Sequence, residues 1–374
     1  MKSINPFPTK DYIAPEYFCD REKETAQLIE SIHNHRDTTI VSQRKIGKTA
    51  LIKHVFHSLK NEKDLSIHYF DIYPTQNLRD FTNMLCNALI GYFESKPEKL
   101  LQRFVKLLGQ FRPRFTLDEF TGRPALELDL QTETEMANSL AALFGYLSKQ
   151  ERKVVLAIDE FQQITQYPEP NVEALLRTHL QECKNVVMIY SGSNRHMLTS
   201  LFNDYARPFY QSSGYLFLGN LDTAAYRTFI SGHFSRAGRT ITEPALEYLM
   251  DWTLGITYYV QEVCNRLYAA GSKKNDLQEI KDICFRILEE RTPLYLVFRD
   301  LLTRQQFDLL VALAREVYTS QPGSMEFIRK HELGAVSTVN RSLEALMNKN
   351  LVFLEDGRYT LPDVFLLRWL RHYF

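Results

Sequence analysis

Two stretches of this chain are apolar at every position: VVLAI, residues 154–158, and VVMIY, residues 186–190. A strand with one wet face alternates apolar and polar residues. A strand buried on both faces does not, and such strands belong to parallel sheets covered by helices. Three further runs read as strands: Thr38 to Val41, SIHYFDIY at 66–73 and SGYLFLGNL at 213–221. Between the strands, apolar residues recur at helical spacing, as at Leu28, Ile29 and Ile32, or at Leu51, Ile52, Val55, Phe56 and Leu59. This alternation predicts an α/β core: a parallel five-stranded sheet with helices on both faces.

The rhythm breaks twice. Residues 1–17, rich in Pro and Tyr, read as an extended lead-in. Residues 95–135 read as an insertion: a helix over Lys99 to Leu108, then FRPRFTLDEFTGRPALELDL, which has hairpin character. Beyond Asp222 the pattern is almost all helical to Arg291. From Thr303 it gives three helices and then two short strands, LVFLE and RYTL, around Asp356-Gly357. That is the order of a winged helix-turn-helix. A chain of 374 residues is long for one core. The expected domains are an α/β domain at 1–221, an α-helical lid at 222–298 and a C-terminal winged helix at 299–374.

Charge and cysteine usage narrow the function classes. Lys plus Arg equals Asp plus Glu, 45 each, so nothing in the net charge favours nucleic acid or an anionic membrane. No apolar run approaches ~18 residues, so no membrane span is expected. The stretch MKSINPFPTKDYIAPEYF has no apolar core of signal-peptide length. Five scattered cysteines, without C-x-x-C spacing, read as free thiols in a reducing compartment. The expected location is cytoplasmic.

The chemistry sits at strand ends. Gly47-Lys48-Thr49 follows the strand at 38–41 and opens a helix. It completes the phosphate-binding pattern G-x-x-x-x-G-K-[ST], except that Ser42 stands where the first glycine belongs. In such a loop the backbone of Ser42, Gln43, Arg44, Lys45, Ile46, Gly47, Lys48, Thr49 and Ala50 faces a triphosphate. Lys48 would reach its β- and γ-phosphates, and Thr49 would coordinate Mg²⁺. Ser42 is expected mainly to shape the loop entry, so that Ser42→Gly is tolerated. The run VVLAIDE ends in Asp159 and Glu160, a Walker B pattern. Asp159 would hold Mg²⁺ and Glu160 would deprotonate the attacking water. Ser191, with Ser193 as the alternative, ends the neighbouring strand and would touch that water or the γ-phosphate. The plainer readings are a basic turn between strand and helix, and a carboxylate pair leaving the sheet for solvent.

With these motifs in order, the chain resembles the STAND/AAA+ class of P-loop ATPases, and within it the prokaryotic archaeal-type ATPase family. The residues that carry the likeness are YFCDREKE (17–24), QRKIGKTAL (43–51), AIDEFQQI (157–164), IYSGSNRHML (189–198), RPFYQS (207–212), GITYYVQEVCNRLY (255–268) and VNRSLEALMNKNLV (339–352). The resemblance implies ATP/ADP and Mg²⁺ as cofactors. It implies that Phe18 and Arg21 lie beside the adenine, although Cys19-Asp20 replaces the usual apolar-Gly pair. It places Gly255 and Thr257 in a lid near the nucleotide, with Thr257 where relatives carry proline. It makes Arg207 a sensor of the γ-phosphate, in cis or across a subunit interface; the plain alternative is a surface arginine paired with Asp204. ATP rather than GTP also follows from the resemblance, since no N-K-x-D motif occurs.

The C-terminal segment bears on partners. In a DNA-binding winged helix, Val336 to Lys349 would enter the major groove, with Ser337, Thr338, Asn340 and Arg341 as contacts. Against this, residues 303–374 hold nine Lys/Arg and eight Asp/Glu, whereas a DNA-binding face is usually basic. Three functions stand open. The first is a Mg²⁺-dependent ATPase whose hydrolysis moves the lid and winged helix. The second is a nucleotide-regulated DNA-binding protein. The third is a module that holds ADP and works through a protein partner or self-association.

Overall fold

The computed structural model describes residues 4–91, 104–117 and 124–374. Five parallel strands form the main sheet: β1 (Thr38–Ser42), β2 (Leu65–Asp71), β5 (Lys153–Asp159), β6 (Val186–Gly192) and β7 (Gly214–Leu218). Their order is β2-β5-β6-β1-β7. All of β1 and β6 is buried, as is β5 after Lys153; this matches the apolar runs of β5 and β6, while β1 also buries Thr38, Thr39 and Ser42. Parallel neighbours need a crossover, and helices supply it. These are Lys48–Leu59 after β1, Leu78–Gly91 and Glu133–Ser148 between β2 and β5, Val172–Glu182 after β5 and Arg195–Asn203 after β6. Helix Glu133–Ser148 starts with a full capping box, Thr132 and Glu135 exchanging side-chain and backbone bonds.

Strand β2 ends at Asp71, short of the expected 73. The Tyr73 N–H donates to the Asp71 carboxylate at 2.8 Å, and this local bond turns the chain out of the sheet. The expected insertion contains an antiparallel hairpin, β3 (Pro113–Leu117) and β4 (Pro124–Leu128). Asn83 and Asn87, on the helix Leu78–Gly91, accept from the Leu128 and Leu126 N–H groups at 2.9 and 2.7 Å. These bonds cover an edge strand that would otherwise expose donors. Of the helix expected over 99–108, residues 104–107 are helical; 99–103 lie outside the described residues, as do 118–123. Behind the carboxyl end of the sheet, Phe161, Tyr190, Phe202 and Phe209 pack together with centroids 4.5–6.1 Å apart, Phe209 meeting Phe161 and Tyr190 edge to face and the other pairs tilted. Each buried aromatic of this kind contributes roughly 1.5–3 kcal/mol.

The chain divides into two compact units, one of residues 12–219 and one of residues 4–11 with 220–374. Residues 4–11 were expected in the first domain, and side chains explain their place in the second. Phe7 is fully buried against Phe229, His233, Phe234 and Tyr268. Asn5 donates to the Asn265 carbonyl, and Asn265 donates back to the Phe7 carbonyl.

In this second unit, helices Thr223–Arg236, Glu243–Trp252 and Thr257–Ala270 precede the long helix Leu277–Leu301. That helix runs through the boundary expected at 298/299. Helices Arg304–Glu316, Met325–Lys330 and Val336–Asn348 follow. Then comes an antiparallel wing, Phe353–Glu355 paired with Arg358–Thr360, whose turn residues Asp356 and Gly357 both have positive φ. The terminal helix Val364–Tyr373 buries six apolar residues, and the Trp369 indole donates to Thr292 of the long helix. Among the described residues, no helix is long and apolar enough to cross a membrane.

Candidate functional site

The loop from Ser42 to Gly47 leaves β1 at the carboxyl end of the sheet. It turns through positive φ at Lys45 (67°) and Gly47 (102°), and the second of these favours a residue without Cβ. Helix Lys48–Leu59 begins at once, with no side chain capping its first turn. Its free N–H groups form a place for an anion. Lys48 is buried, and its ammonium donates to Ser42 Oγ at 3.2 Å and to the Gln43 carbonyl at 3.0 Å. Burial lowers the Lys48 pKa, Arg44 adds to this, and Asp159 and Glu160 act against it. Ser42 therefore does more than shape the entry: its hydroxyl is a resting partner for the lysine. Ile46 is buried, whereas Arg44 and Lys45 are exposed.

Strand order carries the second half of the site to the first. Thr49 Oγ1 donates to Asp159 Oδ2 at 2.6 Å, and Tyr69 OH donates to the same oxygen at 3.1 Å. Asp159 Oδ1 accepts from the Ser191 hydroxyl and, at 3.1 Å, from the Glu160 N–H. Glu160 has φ 55°, in the left-handed region, which turns its side chain away from the strand direction. Its Oε2 accepts from Ser193 N (3.1 Å), Ser193 Oγ (2.8 Å) and Gln162 Nε2 (2.5 Å). Arg44 Nε donates to Ser193 Oγ at 3.1 Å. Ser191 and Ser193 thus divide the work that the sequence left open between them: the buried Ser191 orients Asp159, and Ser193 holds Glu160.

Tyr69 and Asp71 were not singled out by sequence. Asp71 lies opposite Asp159 in the β2–β5 register. Burial raises its pKa, and Asp159 and Glu160 add to the rise against the bond from Tyr73. The available signal was an acidic residue near a strand end. Only the sheet order shows that this strand is β5's neighbour.

The other expected residues make the following contacts. Phe18 stacks on His54 at 4.2 Å, and Tyr12 OH lies 3.1 Å from His54 Nδ1. His54 sits on the helix that begins at Lys48, so the lead-in packs against that helix; burial keeps its pKa below the usual histidine range. Arg21 is buried and donates to Glu24 at 2.7 Å and to the Gly219 carbonyl at 2.5 Å, a tie across the unit. Arg207 pairs with Glu173 at 2.7 Å rather than with the Asp204 side chain.

Gly255 and Thr257 belong to the second unit. Gly255, φ 64°, closes helix Glu243–Trp252 by donating to the Met250 carbonyl, and Thr257 opens the next helix. Ser337, Asn340 and Arg341 are exposed, and Thr338 partly so, in the first half of helix Val336–Asn348.

An all-parallel five-stranded sheet in this order, with a lysine-bearing loop opening a helix against a strand-end carboxylate, defines a P-loop ATPase. The chain belongs to the family of ATPase domains found predominantly in Archaea, whose model matches residues 18–263. A family described as a probable winged helix domain matches residues 293–372.

Solved structures show the same fold. The Walker-type ATPase of Pyrococcus abyssi is 19% identical, with TM-score 0.67 over 98% of this chain and 99% of that one. The ORC2 protein of Aeropyrum pernix, in ADPNP–ADP complexes, is 15% identical, with TM-score 0.57 over 99% and 97%. The ORC1 protein of the same organism, in complex with DNA, is 12% identical, with TM-score 0.53 over 96% and 94%. No curated protein matches the chain.

Proposed function

We propose that the chain hydrolyses ATP in a Mg²⁺-dependent reaction and uses the nucleotide state as a switch for its second unit. The observation that carries this reading is the 2.6 Å bond between Thr49 and Asp159, which joins the loop half and the strand half in one site. In this reading the loop N–H groups from Ser42 to Ala50 cradle the phosphates. Lys48 leaves Ser42 and the Gln43 carbonyl for the β- and γ-phosphate oxygens.

The donor set suits Mg²⁺, since Thr49 and Asp159 are hard oxygen ligands already side by side. Thr49 would hold the ion directly and Asp159 through water. Bound there, Mg²⁺ would neutralise charge building on the phosphates. Ser191 and Tyr69 keep Asp159 oriented. Glu160 takes the proton of the attacking water. Arg207 rests with Glu173, and as a γ-phosphate sensor it would leave that carboxylate when the nucleotide binds.

Phosphate release with Mg-ATP tests the reading. Glu160→Gln is expected to lower kcat on the order of 10²–10⁴-fold while nucleotide still binds. Wild type as inactive as this variant would refute hydrolysis. In that case ADP copurifying with the chain, without turnover, would favour the module that holds nucleotide and works through a protein partner or self-association.

A second reading adds duplex DNA as a ligand of the winged helix. It rests on the exposure of Ser337, Asn340 and Arg341 at one end of helix Val336–Asn348. A salt titration of duplex binding decides it: no affinity at low salt, or none lost in Arg341→Ala, removes DNA from the account.

A further inference from the structure

Gln162 lies just past the catalytic strand, in the short helix Phe161–Gln166, and is 7% exposed. Its amide has two ends with opposite fates. Nε2 donates to Glu160 Oε2 at 2.5 Å. Oε1 is buried and has no hydrogen-bond partner among the described residues. Flipping the amide would set an oxygen against the Glu160 carboxylate, so the carboxylate dictates the orientation that leaves Oε1 orphaned. A buried acceptor without a donor is unfavourable, and a native fold keeps one only where another requirement demands it.

The orphaned oxygen faces Gly192, the last residue of β6. A Cβ on Gly192 would stand 2.0 Å from Oε1 and 3.0 Å from the amide carbon of Gln162. Gly192 is not at positive φ, so its lack of a side chain answers to space and not to backbone conformation. Gly192 is followed by Ser193, whose N–H and hydroxyl complete the set of donors on Glu160 Oε2. All three donors converge on Glu160 Oε2, and none of them falls on Glu160 Oε1. Two of the three come from buried or backbone groups, which do not swing.

We propose that Gln162 is a positioning residue that holds Glu160 by one carboxylate oxygen and leaves the other for the reacting water, and that Gly192 is there to make room for it. This rests on the reading of Glu160 as the base. A general base displaced by about 1 Å loses on the order of 10²-fold in rate, so a rigid one-sided anchor is worth an orphaned acceptor.

The test is a double-mutant cycle on the full chain, read by phosphate release with Mg-ATP, with thermal melts to confirm folding. Gln162→Ala is expected to lower kcat on the order of 10²-fold and to leave KM for ATP within about twofold. Gly192→Ala, which pushes the amide off Glu160, is expected to lower kcat in the same way. The double variant is expected to be no worse than Gln162→Ala alone, because both act through one contact. An unchanged or raised kcat in a folded Gln162→Ala, or losses that multiply in the double variant, would overturn the proposal. Crystal structures of the two single variants give an answer independent of turnover. A Glu160 carboxylate still seated on Ser193 in Gln162→Ala would overturn positioning, whereas a displaced one would support it. A wild type that releases no phosphate would refute Glu160 as base and leave this structural answer standing.

Discussion

At the carboxyl end of the sheet Asp159 accepts hydrogen bonds from Thr49, Tyr69, Ser191 and the Glu160 N–H. At the amino end Asp37, just before β1, accepts one from the Met188 N–H at 2.9 Å. Both carboxylates are largely out of water, but only the first is surrounded by donors. Burial pushes the Asp37 pKa up to about 6, against the Met188 bond and the charge of Arg177. Asp37 lines a cleft of about 950 Å³ with Arg36, Arg177 and Lys184.

The contrast follows from how a parallel sheet is wound. Each strand's carboxyl end leads to a helix N-terminus, rich in free N–H groups. Each amino end receives a helix C-terminus, rich in free carbonyls. Helix Glu22–His33 ends shortly before Asp37, and helix Val172–Glu182 ends shortly before β6. Hydrogen-bond donors therefore gather at the carboxyl end, where they surround Asp159, whereas burial with few donors raises the pKa of Asp37 at the other end, as it does that of Asp71 beside the Asp159 cluster. The loop of the P-loop fold stands at the donor-rich end.

The contrast can be attacked at either end. The largest expected effect is at the carboxyl end. Lys48→Ala removes a buried cation coupled to Asp159 and Glu160, and ATP affinity is expected to fall roughly a hundredfold, about 3 kcal/mol. Equal affinity in calorimetry would mean that this end does not bind phosphate.

At the amino end, Asp37→Asn is expected to stabilise the chain at pH 7 by up to about 3 kcal/mol. The sign follows from linkage. With its folded pKa raised from 3.8 to about 6, Asp37 holds a proton in the folded chain that the unfolded chain has released, so wild-type stability falls as pH rises through that window. The advantage of the variant should shrink as pH falls from 7 to 5 and vanish near 4. Denaturant melts that show the same difference at all three pH values would remove the strain from Asp37.

The smallest effect is expected for Ser42→Gly. It deletes one of two resting bonds to Lys48 and leaves the Gln43 carbonyl, so ATP affinity should change by less than about 1 kcal/mol. A tenfold loss would show that the Ser42 hydroxyl acts on nucleotide as well as on the lysine.

Much of this was legible without coordinates. Unbroken apolar runs such as VVLAI and VVMIY determine strands that must be covered on both faces. The residues Gly47-Lys48-Thr49 determine a strand-to-helix turn with a buried lysine, and Asp159 and Glu160 announce themselves as polar residues at the end of such a strand. These signals are local, because periodicity and turn chemistry act over a few residues.

What only the tertiary structure decided depends on partners far apart in the chain. The order β2-β5-β6-β1-β7 sets Tyr69 and Asp71 beside Asp159 and gives Ser191 to one carboxylate and Ser193 to the other. It sets Gly192 against Gln162, so that a glycine thirty residues away governs how Glu160 is held. It also sends residues 4–11 into the second unit, where Phe7 finds its aromatic neighbours. A hydrogen bond or a close contact needs its donor and acceptor within about 3 Å, and only the packed sheet brings residues from different strands that near.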